Sequence, residues 1–215
     1  MGWVNMTAFI THCWKKRLQL PERIGRCWLL LVLAGLGLHA QAGVELEQIR
    51  LERQDAGLQL HVHLRLDLGP AVEEALTKGV AVHFVAEAEL MRDRWYWYDR
   101  QVSQVTRYYR LAYQPLTRLW RLQVSREPIA AGGNGSSIAQ SFDSLQAALD
   151  VIRLQSGWKL ADAADLDADA RQHVNYRFRL DMSQLPRPFQ IGTGNPPDWN
   201  LSLSRQLRVT PEAGR

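Results

Sequence analysis

From Leu58 to Leu68 every second residue is leucine or valine, and Gln59, His61, His63, Arg65 and Asp67 fill the positions between. Successive side chains of a strand point to opposite faces, so this period of two predicts a strand with one buried face and one wet face. The same alternation returns in Val80, Val82, Phe84, Ala86, Ala88 and Leu90, and again in Val174, Tyr176, Phe178, Leu180 and Met182. Val44 to Gln54 reads as an earlier strand, closed by the turn signal Asp55-Ala56-Gly57. Helical spacing is rarer. Ala71 to Lys78 fits a short helix, with Pro70 at its first turn and Gly79 as its stop. Phe142 to Leu154 fits a second, with Ser141 as N-cap, an apolar stripe through Leu145, Leu149 and Ile152, and Gly157 as its end.

The stretch from Trp95 to Ser125 is the centre of the pattern. Trp95-Tyr96-Trp97-Tyr98 leads into a run in which Val105, Tyr109, Leu111 and Tyr113 share one parity, with Arg107 as the exception. Gln114-Pro115-Leu116-Thr117 breaks the run, and Trp120, Leu122 and Val124 then alternate with Arg121, Gln123 and Ser125. Proline fixes its own φ and donates no N–H, so the break predicts a turn and the whole stretch a hairpin in the middle of a sheet. Ala131 to Ser137 reads as a flexible loop by composition and Asp162 to Asp169 as an acidic one. Pro186 and Pro188 suggest an extended edge, Asn195-Pro196-Pro197 a turn, and Trp199, Leu201 and Leu203 a closing strand. Many alternating strands with few helices predict a mainly β chain, an antiparallel β-sandwich of Ig-like or open-barrel form with two short helices.

The first 42 residues stand apart. Lys15, Lys16, Arg17, Arg23 and Arg26 precede an apolar run from Cys27 to Leu38, and Ala40-Gln41-Ala42 gives a small-x-small pattern before Gly43. This is the layout of a signal peptide, and the run falls short of the roughly 20 apolar residues of a membrane span. The expected organisation is a leader over 1–42, cleaved or kept as an anchor, one sandwich domain over 43–210 and a tail over 211–215. Export makes the protein periplasmic. Both cysteines, Cys13 and Cys27, lie in the leader, so the rest of the chain has no thiol chemistry. The leader also holds five of the 26 Lys and Arg but only Glu22 of the 22 Asp and Glu, which leaves 21 of each in the remainder. The net charge of +4 thus belongs to targeting and gives no support to nucleic-acid binding.

Candidate chemistry is sparse. His61 and His63 share one strand face at a spacing that can reach one metal ion, but such a site needs further ligands, and a solvated face is the plainer reading. Asp165, Asp167 and Asp169 resemble the start of a calcium loop, with Ala170 where glycine is needed and Tyr176 where a bidentate glutamate is needed. The glycine-rich stretch lacks the Gly-Lys-Ser/Thr end of a phosphate loop, and no Gly-x-Ser-x-Gly elbow or His-Glu-x-x-His helix occurs. The expectation is no metal, no cofactor and no catalytic residues. One concentration of residues stands out around the hairpin: Arg94, Trp95, Trp97, Arg107, Tyr108, Arg110, Arg118 and Arg121. Arginine pairs with anions and stacks on rings, so these residues are the candidate partner-binding face.

Phe142-Asp143-Ser144-Leu145-Gln146-Ala147-Ala148-Leu149, Gly157-Trp158, the run from Leu180 to Ile191 with its Leu-Pro-x-Pro element, Asp198-Trp199-Asn200-Leu201, and the hairpin run from Tyr109 to Arg118 before Trp120-Arg121-Leu122 together resemble the family of domain of unknown function 4390. The resemblance covers most of the chain after the leader. It implies an exported proteobacterial envelope protein, often encoded near a membrane sensor kinase, and brings no catalytic residues. The expected function is a non-catalytic binding module whose partner is an envelope or inner-membrane protein, with membrane contact through the leader alone. The alternatives are a carrier or sensor of a small or lipidic envelope ligand and, less favoured, a hydrolytic enzyme.

Overall fold

Alternation along the chain becomes two antiparallel sheets packed face to face. The computed structural model describes residues 42–94, 96, 98–129, 137–166, 170–186 and 197–209, and the leader, the glycine-rich stretch 130–136 and Pro188 lie outside them. The smaller sheet has the order β1-β2-β7: β1 (Gly43–Gln54), β2 (Gly57–Asp67) and β7 (Leu154–Ala161). The larger has the order β6-β5-β4-β3-β8-β9: β3 (Val82–Arg92), β4 (Arg100–Gln114), β5 (Leu119–Ser125), β6 (Ser137–Phe142), β8 (Gln172–Leu180) and β9 (Ser202–Arg208). Among the described residues no strand is shared between them, which is the arrangement of a β-sandwich. Helix α1 (Pro70–Thr77) carries the chain from β2 to β3, and α2 (Leu145–Arg153) carries it from β6 back to β7.

The predicted faces are the observed ones. Leu58, Leu60, Val62, Leu64 and Leu66 are buried on one side of β2 and meet Phe84, Ala86, Ala88, Leu90, Tyr109, Leu111, Leu122, Val174, Tyr176 and Phe178 of the larger sheet in one continuous core. Cross-strand pairs lie on one face, and Phe84 stacks on Phe178 at 5.8 Å. Direct ties also cross between the sheets: Ser103 donates its hydroxyl to the Leu160 carbonyl at 2.6 Å. Gly57 closes the β1–β2 hairpin at φ 130°, and a β-carbon there would meet the Ala161 carbonyl oxygen at 2.0 Å. Only glycine fits.

Several boundaries differ from the sequence expectation, each for a physical reason. Strand β4 starts at Arg100, and Tyr96 and Tyr98 are exposed before it and outside any strand. Helix α2 starts later than expected. Its N-cap is Ser144, whose hydroxyl accepts from the Ala147 N–H at 3.2 Å, because Ser137–Phe142 is taken up by pairing with β5. Gly157 does not end that helix. The helix stops at Arg153, and β7 then pairs with β2 so that Leu60 faces Trp158 and Val62 faces Gln155. The extra residue on β7 is a bulge, with Gly157 at φ 64° supplying the left-handed position. Of the expected closing strand only Leu203 lies in β9. Trp199 sits in a 3₁₀ turn and, with Leu201, is buried.

Two tyrosine hydroxyls lie inside this core. Burial pushes the Tyr109 pKa up to about 12 and raises that of Tyr176 as well, the latter donating to the Gln155 side chain at 3.0 Å. An unfolded tyrosine ionises near pH 10, so between about 10 and 12 the unfolded chain has lost a proton that folded Tyr109 keeps, and stability falls as pH rises. Tyr109→Phe should flatten this alkaline decline by about one proton when urea midpoints are followed across pH. Ser144→Ala should lower the unfolding free energy by about 1 kcal/mol, read from the same midpoints at neutral pH.

Candidate functional site

Strand β4 runs through the middle of the larger sheet, and its alternation divides the candidate arginines between two faces. Tyr108 and Arg110 point away from the smaller sheet. Opposite them on β5 are Ser125 and Gln123, and Arg121 pairs with Ala112 on the same side. Arg110 donates to the Gln123 side chain at 3.1 Å. Arg107 has the opposite parity and enters the sandwich, with its guanidinium 4.4 Å from the centre of the Trp158 ring. The exception in the sequence pattern is therefore a cation on the core side, stacked on an aromatic face.

At the end of the hairpin, Leu116 is fully exposed and Arg118 adopts φ 57°. The Arg118 N–H donates to the Gln114 carbonyl at 2.8 Å, which closes the turn. A left-handed conformation costs a non-glycine residue roughly 1–2 kcal/mol. Arg94 lies beyond the other end of β4, exposed, with its N–H 3.3 Å from the Asp99 carboxylate. Trp95 and Trp97 lie outside the described residues. The six described candidates therefore do not form one patch. Tyr108, Arg110 and Arg121 share the outward face, Arg118 holds the turn, Arg107 faces inward, and Arg94 is remote.

Charge on the hairpin is left unbalanced. Among the described residues, Arg107, Arg110, Arg118, Arg121 and Arg126 form no ion pair with a carboxylate, whereas Arg179 pairs with Glu87 at 3.6 Å farther along the sheet. Burial works against the charge of Arg107, the Tyr109 hydroxyl supports it, and Arg126 opposes it. On the outward side, His83 lies opposite Arg110. Both its ring nitrogens are buried and have no hydrogen-bond partner among the described residues. Burial lowers its pKa, Arg110 lowers it further, and Asp181 acts in the other direction. Neutral imidazole beside an unpaired guanidinium is the result.

A cleft of about 560 Å³ opens beside Arg107, lined also by Val124, Ser125, Arg126, Glu127 and Ile138. It lies at the opposite end of β5 from Trp120, whose ring packs on Tyr113 at 4.9 Å. Sequence reasoning missed this cleft. Its one signal was the parity of Arg107.

The histidines are dispersed. His61 and His63 lie on the outer face of the smaller sheet, 3.6 Å from Glu52 and 3.3 Å from Glu47. His173, buried in β8, contacts Asp93 at 2.5 Å through Nδ1, and its Nε2 is 4.0 Å from Asp99. Among the described residues, these last three form the only group of three or more metal-ligand side chains whose ligand atoms all lie within 4.8 Å of one another. Asp93 also donates its N–H to the Arg171 carbonyl at 2.9 Å, so the contact fastens the β3–β4 connection to β8. Of the acidic calcium-like residues, Asp167 and Asp169 lie outside the described residues; Asp165 accepts from the Asp162 N–H in a capping box.

No curated protein and no solved structure matches this chain. The family model described as Domain of unknown function (DUF4390) matches residues 41–208, which takes in both sheets, the hairpin and the cleft. Among the residues that carry the resemblance, Gly157 makes the bulge, and Trp158, Leu185, Trp199 and Leu201 are buried. The chain belongs to the DUF4390 family.

Proposed function

We propose that this protein is an exported, non-catalytic binding module of the bacterial cell envelope that receives a protein partner with an acidic surface on the outward side of the β4–β5 hairpin. The observation that carries this reading is the set of arginines there without a carboxylate: Arg110 and Arg121 on the face and Arg118 at the turn, beside fully exposed Leu116. Exposed guanidinium groups favour planar acidic partners, and an exposed apolar side chain at the tip offers an anchor. Periplasmic location follows from the leader pattern, and an inner-membrane sensor protein is the partner class that the family association favours. The scatter of the histidines over three places supports a role without catalysis.

A second reading, carriage of a small or lipidic envelope ligand, is supported by the cleft at Arg107.

Photo-crosslinkers placed at Leu116 and Arg121 in intact cells should each capture the same envelope protein. One at Glu73, exposed on α1, should not. Arg110→Glu combined with Arg121→Glu should abolish the capture at Leu116. Equal labelling from all three positions, or capture that survives charge reversal, would reject the partner reading. Arg118→Gly should separate stability from binding: relief of the left-handed strain should raise the unfolding free energy by about 1 kcal/mol, while crosslinking yield at Leu116 falls.

A further inference from the structure

The cleft beside Arg107 has chemistry that the outward face lacks. Arg107 belongs by parity with Val105, Tyr109 and Leu111, the row of β4 that faces the core. A cation on that side loses hydration, and burial works against its charge. Trp158 offers its ring face and Tyr109 its hydroxyl, but neither carries a negative charge. The chain then places a second cation, Arg126, just past the end of β5, close enough to oppose the first. Glu127 lines the same cleft yet pairs with neither, and its N–H donates to the Ser125 hydroxyl at 3.0 Å. Two guanidinium groups at a partly dry cleft, with no carboxylate partner among the described residues, make an arrangement that an incoming oxyanion would complete.

The rest of the lining is apolar. Val124 and Ile138 pair across β5 and β6 on the same face as Arg107, and Ile138 is 70% exposed. At 560 Å³ the space falls within the usual range for small-molecule sites. Taking about 30 Å³ for each water-sized group, it admits roughly fifteen to twenty non-hydrogen atoms, far more than a bare inorganic anion has.

We infer that this cleft binds a small amphipathic anion, with a carboxylate or phosphate head between Arg107 and Arg126 and an apolar arm over Val124 and Ile138. The inference rests on the small-ligand reading and is independent of the partner reading, because Arg110 and Arg121 lie on the other face of the sheet.

Isothermal titration of the purified protein with decanoate, decyl phosphate, decanol and inorganic phosphate tests it. Decanoate or decyl phosphate, or both, should bind at one molecule per chain, and the stronger of the two identifies the head group. Decanol, which lacks the charge, and inorganic phosphate, which lacks the arm, should bind at least tenfold more weakly. Arg126→Ala removes an exposed side chain without touching the Trp158 stack, and it should weaken the anion at least tenfold. Arg107→Lys should do the same although the charge is kept, because the planar fork is lost. Arg121→Ala should change nothing here while still impairing partner capture. Decanol binding as tightly as decanoate, no saturable binding of either anion, or affinity unchanged by Arg126→Ala and Arg107→Lys would overturn the inference. Urea midpoints of each variant confirm that binding, and not folding, is being read.

Discussion

The indole of Trp158 is where the two sheets hold each other. It comes from β7 of the smaller sheet and lies between two side chains of the larger: Arg107 on β4 at 4.4 Å and Tyr176 on β8 at 6.4 Å. The ring is 1% exposed, and its Nε1 has no hydrogen-bond partner among the described residues. An unsatisfied buried donor costs about 1–3 kcal/mol. Burial of so large a ring and the cation–π contact offset that cost, at roughly 25 cal/mol per Å² and 0.5–2 kcal/mol. Orientation is thus set by packing. Tyr176 extends the grip by donating to Gln155, which in turn donates to the Ile152 carbonyl, so the sheet contact is tied to the end of α2.

Arg107 follows from this contact. A buried aromatic face can accommodate a cation that an aliphatic core could not, and Arg107 both stacks on that ring and lines the cleft. The structural contact and the candidate site are therefore one feature seen from two sides. The bulge at Gly157 contributes as well, since it shifts the register of β7 by one residue just before Trp158. A one-residue shift exchanges the faces of every side chain that follows.

Much of this was legible in the sequence, and the rest was hidden for identifiable reasons. Strand β2 carries five alternating apolar residues, β3 as many and β8 four, so their faces follow from periodicity alone. Strand β6 has no such signal: as an edge strand it is exposed at four of its six positions, and its existence depends on pairing with β5. Strand β7 was masked by its bulge, because Leu154, Gln155 and Trp158 fall out of simple alternation and Gly157 imitates a helix stop. Tyr96 and Tyr98 misled in the other direction, since aromatic residues suit strands but also suit exposed connections. The contact between His173 and Asp93 spans 80 residues of sequence, and nothing local announces it. Arg107 was visible only as an exception in a parity row, and its meaning required the residue that packs against it from the other sheet.

The smaller sheet supplies an internal control for the meaning of the hairpin arginines. On its outer face the charges are matched across strands: His61 with Glu52, His63 with Glu47, and Arg65 with Glu47 and Glu45. Such exposed pairs contribute little stability, with a typical value of about 0–1 kcal/mol. The matching is incomplete even there, since Arg50, opposite His61 on the same face, has no carboxylate partner among the described residues. On the hairpin, by contrast, five arginines lack carboxylates among the described residues, Arg118 holds a left-handed backbone, and His83 buries two ring nitrogens without partners there. The left-handed backbone of a non-glycine residue, at least, occurs among the described residues only here. Departures from local consistency tend to gather where a protein meets something else. The absent counter-charges on β4 and β5 are what the proposed ligand or partner would supply.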